Sequence, residues 1–230
     1  MKDLLLYLGP GENEELRYAL RTWEQNLRFR KLYVVGGPKP KWFHPDIYVE
    51  NPLRYSKMRQ CYDNLIIALQ DDRLTDDVLL MMDDIFILVP YEDWTINYNR
   101  GTLQTQLDNT TKGGSNSYYR LVENTTKELE KDFAEPLSFE EHAPFLCNRK
   151  KMLELLQSYG SDRMPTMLYR SIYGNRYNIP TEYKPDVKLK QYADRVPVGV
   201  PMFSTNPGSF KGSGGTYAEF YFKRPSRFEY

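Results

Sequence analysis

The chain has 230 residues, 40% of them hydrophobic, which is enough for one substantial α/β core. No stretch approaches the roughly 18 apolar residues of a membrane span. The first residues, MKDLLLYLG, lack the basic residues and the long apolar run of a signal peptide. We therefore expect a cytoplasmic protein without a membrane span. The net charge is zero, yet residues 1–142 hold 17 Lys and Arg against 24 Asp and Glu, whereas residues 143–230 hold 14 against 7. The basic C-terminal part suits a phosphate-rich ligand or acceptor, or it is simply attracted to the acidic part within the fold.

The hydrophobic pattern of residues 1–90 alternates between strands and helices. Continuous apolar runs predict buried strands, and apolar residues at helical spacing, such as Leu16, Leu20 and Trp23, predict helices. Strands are predicted over residues 4–8, 31–35, 46–49 and 78–82, with residues 85–89 continuing extended, and helices over 14–26 and 57–70. This order predicts an α/β fold with a mostly parallel central sheet and helices on both faces. Ligands bind such sheets beyond the carboxyl ends of the strands, where the turn Gly9-Pro10-Gly11 also falls.

The remainder of the chain is less regular. Residues 90–139 are polar, and the stretch 109–117, rich in Thr, Asn, Gly and Ser, predicts a mobile loop that is either a lid or acceptor platform or a plain surface loop. Two further helices are predicted over residues 149–159 and 165–177, and the Pro-, Gly- and Ser-rich tail is predicted to be flexible at 212–215. We expect one catalytic domain with a nucleotide-binding half (1–90), an acceptor and catalytic half (91–180) and a basic C-terminal extension (181–230).

Two adjacent carboxylates, Asp83 and Asp84, follow the apolar strand predicted over residues 78–82. They repel one another unless a cation or hydrogen-bond donors neutralise them. A divalent metal would do so, and carboxylate oxygens suit Mg²⁺ or Mn²⁺, which can bridge a diphosphate and stabilise a leaving nucleoside diphosphate. The alternative is a strand-to-turn junction with two solvated acids. The other acidic pairs, at 71–72 and 76–77, precede the strand in a polar turn and are interpreted as caps or surface positions.

One of the two histidines, His142, follows Glu140 and Glu141 in the segment SFEEHAPFL. Its imidazole could ligate the metal or act as a base, with Glu141 nearby, although a lone histidine can also be purely structural. The two cysteines, Cys61 and Cys147, sit in no metal-ligand spacing and are expected to be free buried thiols. The chain contains no P-loop, GxGxxG, HExxH or GxSxG motif.

Basic residues near the predicted strand ends are candidates for holding phosphate. Lys57 and Arg59 stand at the start of the second helix, where free N–H groups favour anions, and Arg170 lies in TMLYRSIYGN. Taken singly, each of the three is more often a solvated surface charge. Gly9, in the first loop, would let the backbone approach a nucleotide.

Four segments occur in the order ELRYALRTWEQN, KLYVVGGPKPKWFHPD, VLLMMDDIFI and EEHAPFLCNRKKMLELL. In this order, over about residues 4–175, the chain resembles the Stealth family of hexose-1-phosphate transferases. The resemblance implies a nucleotide-diphospho-sugar transferase fold of the GT-A type. The family's Asn-Asp-Asp motif reads Met82-Asp83-Asp84 here, and its His-x-Pro element matches His142-Ala143-Pro144. The resemblance thereby implies that Asp84 binds the metal and that His142 serves at the catalytic centre; a later Thr and basic element resemble Thr166 and Arg170.

The compact length and the ending, from NPGSF to PSRFEY, also look like small, often phage-encoded glycosyltransferases. For such an enzyme the host cytoplasm is the implied location, and a modified base in DNA is one implied acceptor. The basic C-terminal part and the 19 tyrosines fit a DNA acceptor.

The leading hypothesis is a metal-dependent glycosyltransferase that moves a sugar from a nucleotide-sugar, for which a UDP-sugar is expected, to a polyanionic or glycan acceptor. Asp83 and Asp84 would bind Mn²⁺ or Mg²⁺, and His142 with Glu141 would complete the site. The first alternative is hexose-1-phosphate transfer to a glycan. The second is a non-catalytic nucleic-acid-binding protein, which would bind DNA in a salt-sensitive way without turning over a donor.

Overall fold

The computed structural model of the chain describes residues 1–9, 11–52, 54, 56–110 and 117–230. In chain order the strands are β1 (Asp3–Leu8), β2 (Leu32–Gly36), β3 (Ile47–Glu50), β4 (Asp77–Met81), β5 (Ile85–Ile87), β6 (Asn97–Asn99), β7 (Phe145–Asn148), β8 (Thr181–Tyr183) and β9 (Met202–Ser204). The α-helices are α1 (Glu14–Asn26), α2 (Lys57–Gln70), α3 (Leu103–Asn109), α4 (Ser117–Leu129), α5 (Arg149–Arg163), α6 (Tyr169–Arg176), α7 (Pro207–Ser209) and α8 (Gly215–Tyr221). A 3₁₀ helix covers Met164–Thr166, and a π-helical segment covers Phe210–Gly214.

A five-stranded sheet in the order β3-β2-β1-β4-β7 forms the centre of the described fold. The strands β1 to β4 run parallel, and β7 lies antiparallel to β4. The predicted α/β class with a mostly parallel central sheet is therefore confirmed. Because parallel strands end at the same edge, the loops after β1, β2 and β4 meet there. Within the described ranges, no helix has the length and apolarity needed to cross a lipid bilayer.

Helices cover both faces of this sheet because successive side chains of a strand point to opposite faces. Leu5 of β1 packs in one core cluster with Leu65 of α2 and Leu156 of α5. Leu4, its neighbour, packs in a second cluster with Leu20 of α1. All five side chains are fully buried, and burying each leucine stabilises the fold by roughly 1.5–3 kcal/mol.

The helix predicted over residues 165–177 is divided in the structure. Met167 is extended (φ −136°, ψ 169°), so the chain passes from the 3₁₀ helix to α6 through a break. Next to the break, the backbone N–H of Leu168 donates to the Thr125 hydroxyl 2.8 Å away instead of to a helical carbonyl. The hydrogen bond from Leu168 to Thr125 of α4 therefore stands where a continuous helix would have a hydrogen bond of its own.

The segment 90–139 is more regular than its polar composition predicts, because it contains α3 and α4. The buried threonines of α4 explain the difference: Thr125 and Thr126 donate their hydroxyl hydrogens to the Leu121 and Val122 carbonyls of the same helix. Once so bonded, these side chains pack inside the protein although they are polar. Residues 111–116 of the predicted mobile loop lie outside the described residues.

The C-terminal segment is more ordered than its Pro-, Gly- and Ser-rich composition predicts. β9 pairs with β5, and the Glu229 carboxylate accepts hydrogen bonds of 2.8 and 2.7 Å from Arg21 of α1. In the predicted flexible stretch, a Cβ at Gly212 would come within 2.0 Å of the Tyr192 carbonyl oxygen, and a Cβ at Gly215 within 2.0 Å of that of Phe210. Glycine is needed at both positions for close backbone packing.

Candidate active site

A cavity of about 480 Å³ opens at the carboxyl edge of the central sheet. It lies where β1, β2 and β4 end, since Leu8 is in register with Gly36, and Leu6 with Met81. The structure brings together five of the residues predicted for the site, which line this cavity: Gly9, Lys57, Asp83, Asp84 and His142.

Glycines stand at the end of β2, and one of them, Gly37, lines the cavity. Gly36 and Gly37 have φ values of 121° and 119°, and a Cβ would come within 2.3 Å of the Leu8 carbonyl oxygen at the first and 2.1 Å of the Tyr48 hydroxyl at the second. A Cβ at Gly9 would meet no other described heavy atom within 4 Å. The space beside Gly9 is therefore open to a ligand, as a loop that approaches a nucleotide requires.

The acidic pair after β4 meets a lysine and a third carboxylate. Lys188 Nζ lies 2.9 Å from Asp84 Oδ2, whereas Asp84 Oδ1 is buried without a hydrogen-bond partner. Burial and the charge of Asp84 raise the pKa of Asp83 to about 6. Burial, together with the charges of Asp84 and Asp83, raises the pKa of Glu15 to about 7, although the Thr205 hydroxyl donates to it over 2.8 Å. These carboxylates are crowded together with too little positive charge around them.

The acidic pair offers oxygen atoms of the kind that a divalent metal ion takes as ligands. Asp84 Oδ1 is an oxygen ligand that no donor occupies, and its carboxylate chemistry suits Mg²⁺ or Mn²⁺. Across residues 1–9, 11–52, 54, 56–110 and 117–230, no three His, Cys, Asp or Glu side chains are placed to surround a metal. A cation held by Asp83 and Asp84 must therefore take further ligands from water or from the oxygens of a bound diphosphate, as Mg²⁺ commonly does.

Asp186 orients His142 through two hydrogen bonds. The His142 backbone N–H donates to Asp186 Oδ1 over 3.3 Å, and His142 Nδ1 lies 2.9 Å from Asp186 Oδ2. Burial would raise the pKa of Asp186, but the hydrogen bond from His142 and the charge of Arg100 outweigh burial and hold that pKa below its usual value. An ionised carboxylate only accepts, so Nδ1 carries the ring proton and Nε2 is left as the acceptor nitrogen of the ring.

Glu141 and Arg170 support the histidine from a buried position. Arg170 donates to the Glu141 carbonyl oxygen over 3.0 Å and lies 3.3 Å from the Glu140 carboxylate. It was predicted to contact phosphate; in the structure its side chain is 8% exposed, does not line the cavity and holds the segment that leads to His142. Burial, and then the charge of Asp186, raises the pKa of Glu141 to about 8.

Lys57 and Arg59, both predicted to hold phosphate, have different surroundings. Lys57 is exposed and lines the cavity. Arg59 donates to the Asp63 carboxylate over 3.1 Å and to the Ser161 carbonyl oxygen over 2.8 Å, so it joins α2 to α5 and does not line the cavity.

Side-chain amides that sequence reasoning missed line the same cavity. Asn51 Nδ2 donates to Asn64 Oδ1 over 2.8 Å, and Gln60 Nε2 donates to the same oxygen over 3.2 Å. The free thiol of Cys61 lies beside them. Amides offer donors and acceptors side by side, which suits the polar edge of a nucleobase. Sequence gave no signal for them, since isolated Asn and Gln residues carry no spacing rule.

Asp186 and Lys188 were also missed, and here a signal existed. They stand two apart in the segment YKPDVKLKQY, so an extended backbone places both on one face. The segment lies beside β9, where the Ser204 backbone N–H donates to the Val187 carbonyl oxygen over 3.0 Å. An acid and a base two positions apart in an extended segment indicate that one face of the segment is polar. The overall basic composition of residues 181–230 obscured this signal.

The stability of the protein is expected to fall as the pH rises from 5 to 8 in EDTA. Asp83, Glu15 and Glu141, with pKa values of about 6, 7 and 8, keep protons in the folded state that the unfolded chain has already released. Their stabilising effect is complete below the unfolded pKa values and is lost as the pH rises through the folded ones. Carboxyls with lowered pKa values, such as Asp186 and Glu229, are ionised in both states in this window.

The measurement is the midpoint of thermal unfolding at pH 5, 6.5 and 8. Between pH 6.5 and pH 8 we expect the unfolding midpoint of Glu141→Gln to fall less than that of the wild type, by on the order of 5 °C, because glutamine does not titrate. Glu130→Gln, at an exposed position, is the matched control and should follow the wild type. A midpoint that stays level or rises from pH 5 to pH 8 would contradict the burial of these carboxyls.

Comparison with known proteins adds no family to this description. No protein-family model matches the chain, and no curated protein matches it at a significant level. The functional conclusion is therefore drawn from the residues of the site and their geometry.

Proposed function

We propose that the protein is a metal-dependent glycosyltransferase that uses a nucleotide-sugar donor. One observation carries the proposal: the Asp83-Asp84 pair, with its unpartnered oxygen, and the Asp186-oriented His142 line the same cavity at the carboxyl edge of a mostly parallel sheet. Such an edge is where α/β proteins bind nucleotides. The α/β class with a mostly parallel sheet is one to which the GT-A fold belongs, and the resemblance to the Stealth family implies roles for Asp84 and His142.

The cavity offers a different chemistry to each part of a nucleotide-sugar. The amides of Asn51, Gln60 and Asn64 suit the donor and acceptor groups of a base such as uracil. The ammonium groups of Lys57 and Lys188 suit a diphosphate. A divalent cation held by Asp83 and Asp84 would neutralise the charge that develops on the leaving diphosphate. A UDP-sugar is therefore the proposed donor.

His142 acts as the base in the transfer step. The acceptor hydroxyl oxygen bonds to the anomeric carbon of the sugar, and the bond from that carbon to the diphosphate oxygen breaks. The bonding electron pair leaves with the diphosphate, and the hydroxyl proton passes to His142 Nε2. Asp186 stabilises the resulting imidazolium, because its carboxylate is ionised and lies 2.9 Å from Nδ1.

The test is a thermal-shift measurement with UDP, UDP-glucose, UDP-galactose and UDP-N-acetylglucosamine, each with and without Mn²⁺. Binding to the folded state alone raises the midpoint, and we expect an increase that requires both metal and nucleotide. The absence of an increase, or an equal one in Asp84→Asn, would overturn the proposal. With a sugar that turns over, release of UDP indicates glycosyl transfer, whereas release of UMP indicates hexose-1-phosphate transfer.

A further inference from the structure

A second cavity, of about 240 Å³, shares His142 with the first. Its walls are largely apolar and include Val187, Val200, Pro201 and Met202. His142 therefore lines two cavities, one that also contains the acidic pair and one that does not.

The polar end of this second cavity contains an unsatisfied carboxylate. Glu141 lines it with a side chain that is 5% exposed, and Glu141 Oε1 has no hydrogen-bond partner. Arg100 Nε, 3.5 Å from this oxygen, forms an ion pair with it but no hydrogen bond. A buried oxygen without a donor costs stability, and a ligand hydroxyl that met this oxygen after a rotation of the Glu141 side chain would remove that cost.

The charges at this end do not favour an anion. Arg100 pairs with both Glu141 and Asp186, at 3.5 and 3.7 Å, so this cluster carries no excess positive charge whether Glu141 is protonated or ionised. Lys184, at the edge of the cavity, is paired with Glu182 at 2.9 Å. Hydrogen-bond acceptors, apolar walls and the lack of excess positive charge together suit an uncharged ligand that carries hydroxyl groups.

We propose that the second cavity is the acceptor site of the transferase and that it binds an uncharged ring bearing a hydroxyl group. This inference rests on the proposed function. An apolar cavity of roughly 150 Å³ holds benzene, so one of about 240 Å³ holds a single ring with its substituents. One hydroxyl of that ring meets His142 Nε2, which takes its proton in the step described above, and a second donates to Glu141 Oε1.

An exposed apolar loop at the edge of the cavity agrees with this assignment. Val198 is fully exposed, and Gly199, beside it, has a φ of 78°. Both residues line the cavity. A valine in such a position has no contact to make within the described fold, but it would pack against the part of an acceptor that extends from the ring.

The experiment measures ligand binding by saturation-transfer NMR in the presence of UDP and Mg²⁺, which is diamagnetic and does not broaden ligand signals. Phenyl β-D-glucoside represents a sugar ring, and 5-hydroxymethyl-2′-deoxycytidine represents a hydroxymethylated base. Phenyl β-D-glucuronide and 5-carboxy-2′-deoxycytidine are their anionic counterparts. We expect at least one neutral probe to bind, about tenfold more tightly than its anion, and the probe that binds identifies the source of the ring.

Two variants locate the binding. Val200→Trp fills the cavity and should weaken binding of the neutral probe about tenfold, whereas Gln157→Trp, on an exposed face of α5, should leave it unchanged. Val198→Lys, at a fully exposed position that the fold tolerates, should raise the affinity for the anion relative to its neutral counterpart. The proposal is overturned if neither neutral probe binds, if the anions bind as tightly, or if both cavity variants behave as the wild type.

The Mn²⁺ and UDP thermal shift, measured on the same proteins, reports on the first cavity separately. A normal shift without probe binding would overturn the acceptor site alone. Probe binding without a shift would overturn the proposed function and leave a ring-binding cavity of unassigned use.

Discussion

Replacing Asp84 by Asn is expected to lower the turnover of the nucleotide-sugar by about a thousandfold while the protein still folds. The reason lies in the two oxygens of the carboxylate. Oδ2 accepts from Lys188, and Oδ1 is buried and free of donors, which leaves it for a cation. An amide of the same shape retains one oxygen but loses the charge that binds a divalent metal.

The folded state should tolerate the Asp84→Asn change. The Asp84 backbone oxygen, which accepts from the Thr205 N–H over 3.2 Å, is unaffected, and removing one of the crowded charges relieves repulsion with Asp83. Asp72→Asn makes the same chemical change at a side chain that is 97% exposed and serves as the control. Turnover is measured as UDP release from the sugar that gives the thermal shift. Full activity of Asp84→Asn, or undiminished activity in excess EDTA, would rule out the metal role.

The second large effect is expected at His142. His142→Gln should lower sugar transfer by about a hundredfold to ten-thousandfold, since general-base catalysis typically contributes that much. Nucleotide binding should survive, because the amides, lysines and carboxylates of the first cavity are unchanged. The donor thermal shift in this variant should therefore equal that of the wild type, whereas UDP release should fall.

Asp186→Asn tests the orientation of the histidine. An Asn side chain can present its NH₂ group to Nδ1, which would favour the tautomer with the proton on Nε2 and remove the base. We expect a loss of about tenfold to a hundredfold in turnover and little change in the Michaelis constant for the donor. His44→Gln changes the other histidine, which lies 3.2 Å from the Lys41 carbonyl oxygen, and should be neutral. If Asp186→Asn is fully active, or if His142→Gln and His44→Gln behave alike, His142 is not the base.

Local patterns determined much of this protein. The apolar runs that became β1, β2 and β4 and the helical spacing that became α1 and α2 are properties of short segments, because a strand or helix is selected by which face it buries. The position of Asp83 and Asp84 followed directly: a carboxylate pair after a buried parallel strand must lie at the carboxyl edge.

Other features depend on contacts between distant segments. Lys188 meets Asp84 across 104 positions of sequence, and Asp186 meets His142 across 44, because β9 pairs with β5 and brings residues 184–190 to the sheet edge. Arg170 was predicted to contact phosphate; in the fold its side chain is buried and pairs with Glu140, a contact that the sequence does not indicate.

The acidic pair shows most clearly what the sequence determined and what the tertiary structure decided. Sequence established that two carboxylates would stand together and would need positive charge. The tertiary structure decided that Lys188 satisfies one oxygen of Asp84, that Asp84 Oδ1 is left bare, and that Glu15 adds a third acid nearby. The physical reason is that electrostatic compensation acts through space, over a few ångströms, between groups whose separation along the chain places no limit on their distance.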